Sequence, residues 1–322
     1  MQTLVSFVLL TFNQSRTVQA ALQSLLAQSY TPLEIVISDD HSSDGTWELI
    51  CSEVSRYEGP HHIKINQNPK NLGLNGNCNK AFSIASGELI ILAAGDDISL
   101  PHRASRTVEH WLKANRKPRL IVCPVIDMTA DGIPLGRIEV TDLGKIHSLT
   151  DWFRQRPYVI GAGHAWHRSL FHDFQPLPTG LNHEDQIASY RAALLDAGST
   201  IDEPLVMHRR GGSSSQTTLE SPQAWLRKRH LDATRDAVFW RQLLLDASRF
   251  PVDVKLLRQV RRILARCLFE ARMISATGLT DQLRTLITHP ETDLGFRART
   301  FFNVRFASVI FRTKLQPKKT QT

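Results

Sequence analysis

The chain has 322 residues, of which 42% are apolar and 22% charged, and its net charge is +8. That length allows one large domain or two modest ones with a sizeable core, and the composition excludes disordered, collagenous and disulfide-stapled classes. No apolar run approaches the roughly 18 residues a membrane-spanning helix needs; the longest are 4–10, broken by Ser6, and 89–94. Four cysteines, at 51, 78, 123 and 267, show no C-x-x-C spacing. Neither a zinc site nor a disulfide framework is expected, and a reducing, cytoplasmic setting fits. The charge is unevenly spread: residues 1–220 hold 19 Lys and Arg against 23 Asp and Glu, net −4, whereas 221–322 hold 20 against 8, net +12. The second surface should favour anionic partners.

Residues 4–10 read as a buried strand. No charged segment precedes them and no small-residue cleavage site follows, so a first strand is expected rather than a signal peptide. Residues 16–28 carry Val18, Ala21, Leu22, Leu25 and Leu26 at helical spacing before Pro32. A second strand, 33–38, runs into Asp39-Asp40, and Asp44-Gly45 opens a helix through 56. A short strand at 63–65, a helix at 75–86 stopped by Gly87, and a buried strand at 89–94 follow. This βαβα alternation predicts a largely parallel sheet with helices on both faces, with ligands gathering where strands end. Beyond 119 the pattern gives a strand at 120–125, a Gly/Pro-rich stretch through 144, a helix at 183–197 stopped by Gly198, and a strand at 205–207. Arg209-Arg210-Gly211-Gly212 and a Ser/Thr-rich stretch then mark a domain boundary, giving domains 1–218 and 219–322.

Acidic or polar clusters fall at strand ends or helix starts: Asp39-Asp40, Asn71-Leu72-Gly73, Asp96-Asp97 and Glu184-Asp185. Carboxylates at a sheet's carboxyl edge suit a nucleotide or a hard cation; as helix caps and turn formers they would be merely structural. Asp44 takes the structural reading. Asp96-Asp97 is different, because two adjacent carboxylates repel unless a cation or solvent offsets them, and Gly95 would let a ligand approach the backbone. Magnesium or manganese bridging a diphosphate would supply that offset.

Five segments then fall into one register: Val8-Leu9-Leu10-Thr11-Phe12-Asn13, Ile37-Ser38-Asp39-Asp40-His41-Ser42-Ser43-Asp44-Gly45-Thr46, Asn71-Leu72-Gly73, Gly87-Glu88-Leu89-Ile90 and Gly95-Asp96-Asp97-Ile98-Ser99-Leu100-Pro101. In order and spacing they resemble glycosyltransferase family 2, and the likeness extends more weakly to about residue 215. The resemblance implies a GT-A fold: a mixed, mostly parallel α/β sheet flanked by helices, here followed by a basic helical region. It implies that Thr11 and Asn13 at the first turn, with Asp39, contact the nucleoside, Asp39 accepting from the base N–H with Asp40 in support. Asn71 and Gly73 would pass beside base and ribose, and Asn79 matches a recurrent Asn of the next helix. The metal motif maps to Asp96 and Asp97, with Asp97 as direct ligand and Asp96 as ribose or metal contact, although Ala94 stands where many relatives have the first acid of D-x-D-D. Glu184-Asp185 resembles the family's E-D motif, whose second carboxylate is the base in inverting members. The first turn of a helix would keep Asp185 ionised.

His208, after the strand at 205–207, is either a further metal ligand or a polar residue at a strand end. Arg209 and Arg210 could reach the diphosphate. Between these motifs lie Trp152-Phe153, Tyr158 and residues 161–166. Aromatic rings suit sugar faces, and small Gly161, Ala162 and Gly163 leave room for an acceptor, with core packing as the alternative, favoured for Trp152 and Phe153, and with Trp166 and His164 as the acceptor-site candidates. In the basic region, 255–273 reads as an amphipathic helix. Phe301, Phe302, Phe306 and Phe311 interleave with Arg299, Arg305, Arg312 and Lys314, a mixture suited either to an anionic bilayer or to packing.

The resulting expectation is an inverting, metal-dependent hexosyltransferase. It would use a nucleotide-diphosphate sugar, UDP type, and Mn2+ or Mg2+, with a glycan or lipid-linked saccharide as acceptor, in bacterial surface-polysaccharide assembly. It would be cytoplasmic or peripheral on the inner membrane face, and no nucleic acid is expected as partner. The alternative is a silent nucleotide-binding or scaffold protein whose basic tail binds membrane or nucleic acid. A nicotinamide dehydrogenase is excluded by the lack of G-x-G-x-x-G after the first strand.

Overall fold

The computed structural model describes residues 3–210 and 221–311, in two compact units, 1–214 and 215–322. The boundary expected near 218 lies outside the described residues, as does the Gly211-Gly212 loop.

The first unit opens with β1 (Val5–Thr11), α1 (Val18–Leu26), β2 (Leu33–Asp39), α2 (Thr46–Ser55), β3 (His62–Gln67), α3 (Gly73–Ile84) and β4 (Leu89–Ala94). The expected alternation is therefore present. It continues through β5 (Ile98–Ser99), α4 (Arg103–Lys113), β6 (Leu120–Val122), β7 (Val125–Met128) and β8 (Pro134–Ile138). After α5 (Leu149–Arg154) come β9 (His164–His167), α6 (Ser169–His172), α7 (Glu184–Leu194), β10 (Gly198–Thr200) and β11 (Val206–Arg209).

Among the described residues, seven strands form a sheet in the order β10-β6-β9-β4-β1-β2-β3. Only β9 runs antiparallel to its neighbours, β4 and β6. Every residue of β1 and β2 is buried, as continuous apolar strands are when both sheet faces are covered. Val5, Phe7, Leu9, Leu33, Ile35 and Ile37 pack with Val18, Leu22 and Leu25 of α1 and Trp111 of α4. On the opposite face α3 packs against β1 and β2, and its Phe82 meets Trp166 edge-on at 5.1 Å. Because β2 and β3 lie on one side of β1 and β4 on the other, the strand order reverses at β1. An open α/β sheet binds ligands at such a point, beyond the carboxyl ends of its strands.

Three expectations change. The strand expected at 120–125 is two strands in different sheets: Pro124 has no N–H for a ladder, and the chain crosses there into a four-stranded sheet, β5-β11-β7-β8. The Gly/Pro-rich stretch contains a strand, β8, entered through Asp131-Gly132, a hairpin turn signal with Gly132 at φ +86°. Gly198 does not stop α7; it begins β10, and the chain turns at Asp196, φ +48°.

The second unit contains α8 (Pro222–Ala247), α9 (Val254–Ser275), α10 (Leu279–Ile287), α11 (Leu294–Arg305) and α12 (Ala307–Ile310). Phe269 and Met273 of α9 form a small core with Val304 of α11, joined by Leu226, Leu286, Phe296 and Phe301. Ser221, Asp253 and Asp293 cap their helices by accepting from backbone N–H groups. Phe311 is buried, whereas Phe302 and Phe306 are 56% and 49% exposed. Arg312 and Lys314 lie outside the described residues. Among the described helices none is long and apolar enough to cross a membrane.

Candidate active site

Parallel register brings the ends of three strands together: Thr11 pairs with Asp39 and Leu10 with Ala94. The Thr11 hydroxyl donates to Asp39 Oδ1 at 2.9 Å. Ser42 donates to the same carboxylate through both N–H and Oγ, and Gln67 Nε2 lies 3.3 Å from Oδ2. Asp39 is fully buried. The Gln67 contact is the longest of these, and so the weakest. Asn13 is strained into φ +50° and locks the first turn to the second: its N–H donates to Ser42 Oγ, and its side-chain oxygen accepts from Ser43 N.

Asp40 faces the other way and organises the loop before α3. It accepts from Leu72 N and Gly73 N, each at 2.8 Å, and from Asn68 Nδ2 at 2.9 Å. Gly73 adopts φ +74°, where a side chain would be strained, and Asn71 Oδ1 accepts from its N–H as well. Beneath this loop Ser38, Asn66, Asn68 and Asn77 form a continuous hydrogen-bonded set. Sequence reading missed Asn68 and Asn77, although Asn68-Pro69 is a turn signal. Asn79 is turned away from this loop, exchanging hydrogen bonds with the backbone of Leu177.

Asp96 and Asp97 form the turn from β4 to β5. Asp97 is buried; it accepts from Arg209 N at 2.9 Å, and its Oδ1 lies 3.1 Å from His208 Nδ1. His208 does not follow a strand end, as expected, but sits inside β11, which aims its ring at Asp97. That hydrogen bond raises the imidazole pKa. Burial, then the charge of Asp97, raises the Asp96 pKa. The space beside Gly95 is occupied by side chains, Gln14 Oε1 and Thr11 Cγ2 lying 2.4 Å and 2.9 Å from where a Cβ would stand, so a ligand would reach this backbone only by displacing Gln14. Arg209 Nε donates to Asp96 O at 2.9 Å, and Arg210 pairs with Asp127, so both guanidinium groups are engaged within the protein.

A divalent cation fits these residues in part. The 3.1 Å between Asp97 Oδ1 and His208 Nδ1 is the length of the hydrogen bond between them, so the imidazole would have to give up that proton before both groups could hold an ion, while Asp96 carries charge that a cation would offset. Among the described residues no group of three His, Cys, Asp or Glu is placed to hold a metal ion. Two protein ligands would therefore leave most of the shell to groups from outside the chain.

Glu184 and Asp185 open α7, but the dipole does not dominate. Burial raises the pKa of both, and the charge of Asp185 raises Glu184 further. One Glu184 oxygen, Oε2, is buried without a hydrogen-bond partner. The other touches Gly161, where a Cβ would lie 2.6 Å away, so a larger residue at the first position of the Gly161–Gly163 turn would displace the Glu184 carboxyl. Of two neighbouring carboxyls pushed upward, the higher keeps its proton and the lower is free to accept one.

The sequence model of glycosyl transferase family 2 matches residues 6–173, just over half of the chain. The chain belongs to glycosyl transferase family 2. EpsE of Bacillus subtilis is 35% identical over 134 residues, 42% of this chain and 47% of that protein. The Escherichia coli UDP-Glc:alpha-D-GlcNAc-diphosphoundecaprenol beta-1,3-glucosyltransferase WfgD is 32% identical over 113 residues, 35% of this chain and 42% of that enzyme. The chain thus spans about half the length of these curated relatives. In fold it matches S. aureus TarS 1-349 in complex with UDP-GlcNAc, with TM-score 0.53 and 18% identity over 98% of this chain and 93% of that one. It also matches the mannosyltransferase PcManGT of Pyrobaculum calidifontis in complex with GDP-Man and Mn2+, with TM-score 0.53 and 14% identity over 98% and 89%. The fold is GT-A.

Within this family 2 domain the aromatic expectations separate. Trp152 is core, its Nε1 donating to Ser189 Oγ. Trp166 and His164 on β9 are fully buried, so they are not an acceptor surface. Their alternation on a central strand points both rings into the protein, and burial holds His164 neutral, its pKa near 3. Tyr158 remains, 57% exposed. Among the described residues all four cysteines are free thiols.

Proposed function

We propose that this chain transfers a sugar from a nucleotide-diphosphate sugar, UDP type, to an acceptor hydroxyl with inversion. The catalytic domain is residues 1–218, and 219–322 form a basic helical region. The observation that carries the reading is the convergence of Thr11, Asp39, Asp40, Asp96 and Asp97 at the switch point of the sheet, with His208 brought to Asp97 from 111 residues away.

In this reading Asp39 would receive the base N–H, while Asn13, Asn71 and Gly73 would shape the wall beside base and ribose. Asp40 sets that loop, and Asn79 acts behind it through Leu177. Asp96 would contact the ribose or the metal, and Asp97 with His208 would hold Mn2+ or Mg2+, which would supply charge neutralisation for the departing diphosphate. Asp185 takes the acceptor proton while the acceptor oxygen attacks from the face opposite the diphosphate. Its raised pKa makes it a stronger base than an exposed carboxylate. Neighbours solved in complex with UDP-GlcNAc and with GDP-Man and Mn2+ support a donor and cation of these classes. WfgD and a Campylobacter jejuni beta-1,3-glucosyltransferase, both named for diphosphoundecaprenol- or PP-undecaprenol-linked sugars, support a lipid-linked acceptor in surface-polysaccharide assembly.

Such an acceptor places the enzyme at the inner membrane face. Ile287 and Leu294, 76% and 73% exposed, accompany exposed Phe302, Phe306 and Val309 in the net +12 region. Apolar side chains among basic ones suit a peripheral contact with anionic lipid. The test is a thermal-shift panel of UDP, GDP and other nucleotide sugars with and without Mn2+. One donor should raise Tm in a metal-dependent way. No response to any donor overturns the reading.

A further inference from the structure

We propose that the cleft beneath Tyr158 is a subsite for an uncharged saccharide, holding the acceptor's sugar rings beside Asp185; this rests on the transferase reading above. The cleft is a cavity of about 610 Å³ between segments 139–146 and 151–158, lined by Thr141, Asp142, Lys145, Asp151, Arg154 and Tyr158, together with Glu139. No step assigned to the donor uses any of these residues.

Its position follows from backbone geometry. Thr141 N donates to Tyr158 O at 2.8 Å, and Tyr158 N donates to Thr141 Oγ1 at 2.9 Å, clamping the two walls together. On one side of Tyr158, Gln186 Nε2 of α7 donates to Pro157 O at 3.2 Å. On the other, Gly161 packs against Glu184, with Asp185 Cβ 3.9 Å from where its own Cβ would stand. Three residues of chain span at most about 10 Å, so the backbone of Tyr158 lies within about 10 Å of that of Gly161, the residue that packs on the carboxyl pair. The segment that carries the exposed ring is thus anchored twice to the start of α7.

The chemistry of the lining selects the ligand class. An exposed aromatic ring offers a flat apolar face of the kind that binding sites use, bordered by a few polar groups. The charged groups are already paired: Lys145 with Asp142 at 3.5 Å, Arg154 with Asp151 at 3.3 Å, and Glu139 with Arg137 at 2.7 Å. Each of the two lining cations, Lys145 and Arg154, thus has a carboxylate within 3.5 Å that offsets the charge a phosphate would pair with. What remains around the ring is the Thr141 hydroxyl and the Gln155 amide, with Val140 and Ile146 as apolar neighbours.

The experiment uses the full chain, saturation-transfer NMR, and a probe panel of lactose, cellobiose and N,N′-diacetylchitobiose, with glucose 1-phosphate as the anionic counterpart. At least one neutral disaccharide should bind the parent and bind Tyr158→Phe within about twofold. Tyr158→Ala should bind it about five- to tenfold more weakly, the scale of one lost ring contact. The thermal shift produced by the nucleotide sugar should be unchanged in both variants. Absence of neutral-saccharide binding to the parent, equal binding by Tyr158→Ala, or preference for glucose 1-phosphate overturns the subsite. A disaccharide bound at Tyr158 in a protein that no nucleotide sugar stabilises would overturn the donor reading and leave the saccharide cleft standing.

Discussion

His208 Nδ1 lies 3.1 Å from Asp97 Oδ1 because β5 and β11 pair antiparallel, Met207 opposite Ile98, which places the residues flanking that pair side by side. The carboxylate has two tasks in this arrangement. It anchors the backbone of Arg209, and it presents an acidic oxygen beside an imidazole.

Asp97→Asn separates those tasks, since the amide oxygen can still accept from Arg209 N while the charge is lost. Manganese-dependent affinity for the nucleotide sugar should fall at least tenfold by calorimetry, with little change in Tm. Asp97→Ala should also destabilise, by about 1–3 kcal/mol, because a buried N–H then lacks its acceptor. Unchanged metal-dependent affinity in Asp97→Asn would remove Asp97 from the metal site.

Asp185→Asn should bind donor normally and transfer sugar about 10²-fold or more slowly, the usual scale of a lost general base. Single-turnover transfer within tenfold of the parent would place the base elsewhere.

Asp40→Ala strips an acceptor from Leu72 N, Gly73 N and Asn68 Nδ2 at once. A loss of about 3 kcal/mol in urea unfolding is expected, with faster amide exchange at Leu72 and Gly73. Exchange at those two amides unchanged from the parent would mean the loop holds itself.

Glu184 gives a pH test with a definite sign. Its raised pKa means that the folded chain keeps a proton which the unfolded chain releases above about pH 4.3. Stability is therefore lost as pH rises from that value through the folded pKa. Glu184→Gln cannot ionise, so at pH 8 it should exceed the parent by about 1 kcal/mol or more, roughly 2–4 °C in Tm. At pH 4 the difference should shrink toward zero. A gap that is the same at both pH values would show that the carboxyl is not buried in its neutral form.

Replacing Phe302 and Phe306 together by Ser should weaken flotation with anionic vesicles without altering the donor thermal shift. The parent's association should fall between low salt and 0.5 M salt, because exposed charge is screened within about 10 Å already at 0.1 M. Vesicle binding by the double variant equal to the parent would remove these rings from the membrane contact.

The alternating core, the family and the carboxyl-edge acids were legible in the linear chain, because continuous apolar strands and the polar residues that end them are local patterns. Asp39, Asp40, Asp96 and Asp97 needed only their place after buried strands to be singled out. The fate of the other side chains was a tertiary matter. The chain break at Pro124 moves β7 into a second sheet and leaves β11 paired with β5, and only that pairing brings His208 to Asp97. Trp166 and Tyr158 look alike in sequence, yet one lies on a central strand and is sealed by Phe82, while the other lies in a clamped segment facing solvent. Likewise the first turn of α7 suggested an ionised Asp185, but its protonation is governed by how deeply the fold buries it beside Glu184. Desolvation of a charge depends on everything packed around it, whereas the helix dipole acts over a single turn.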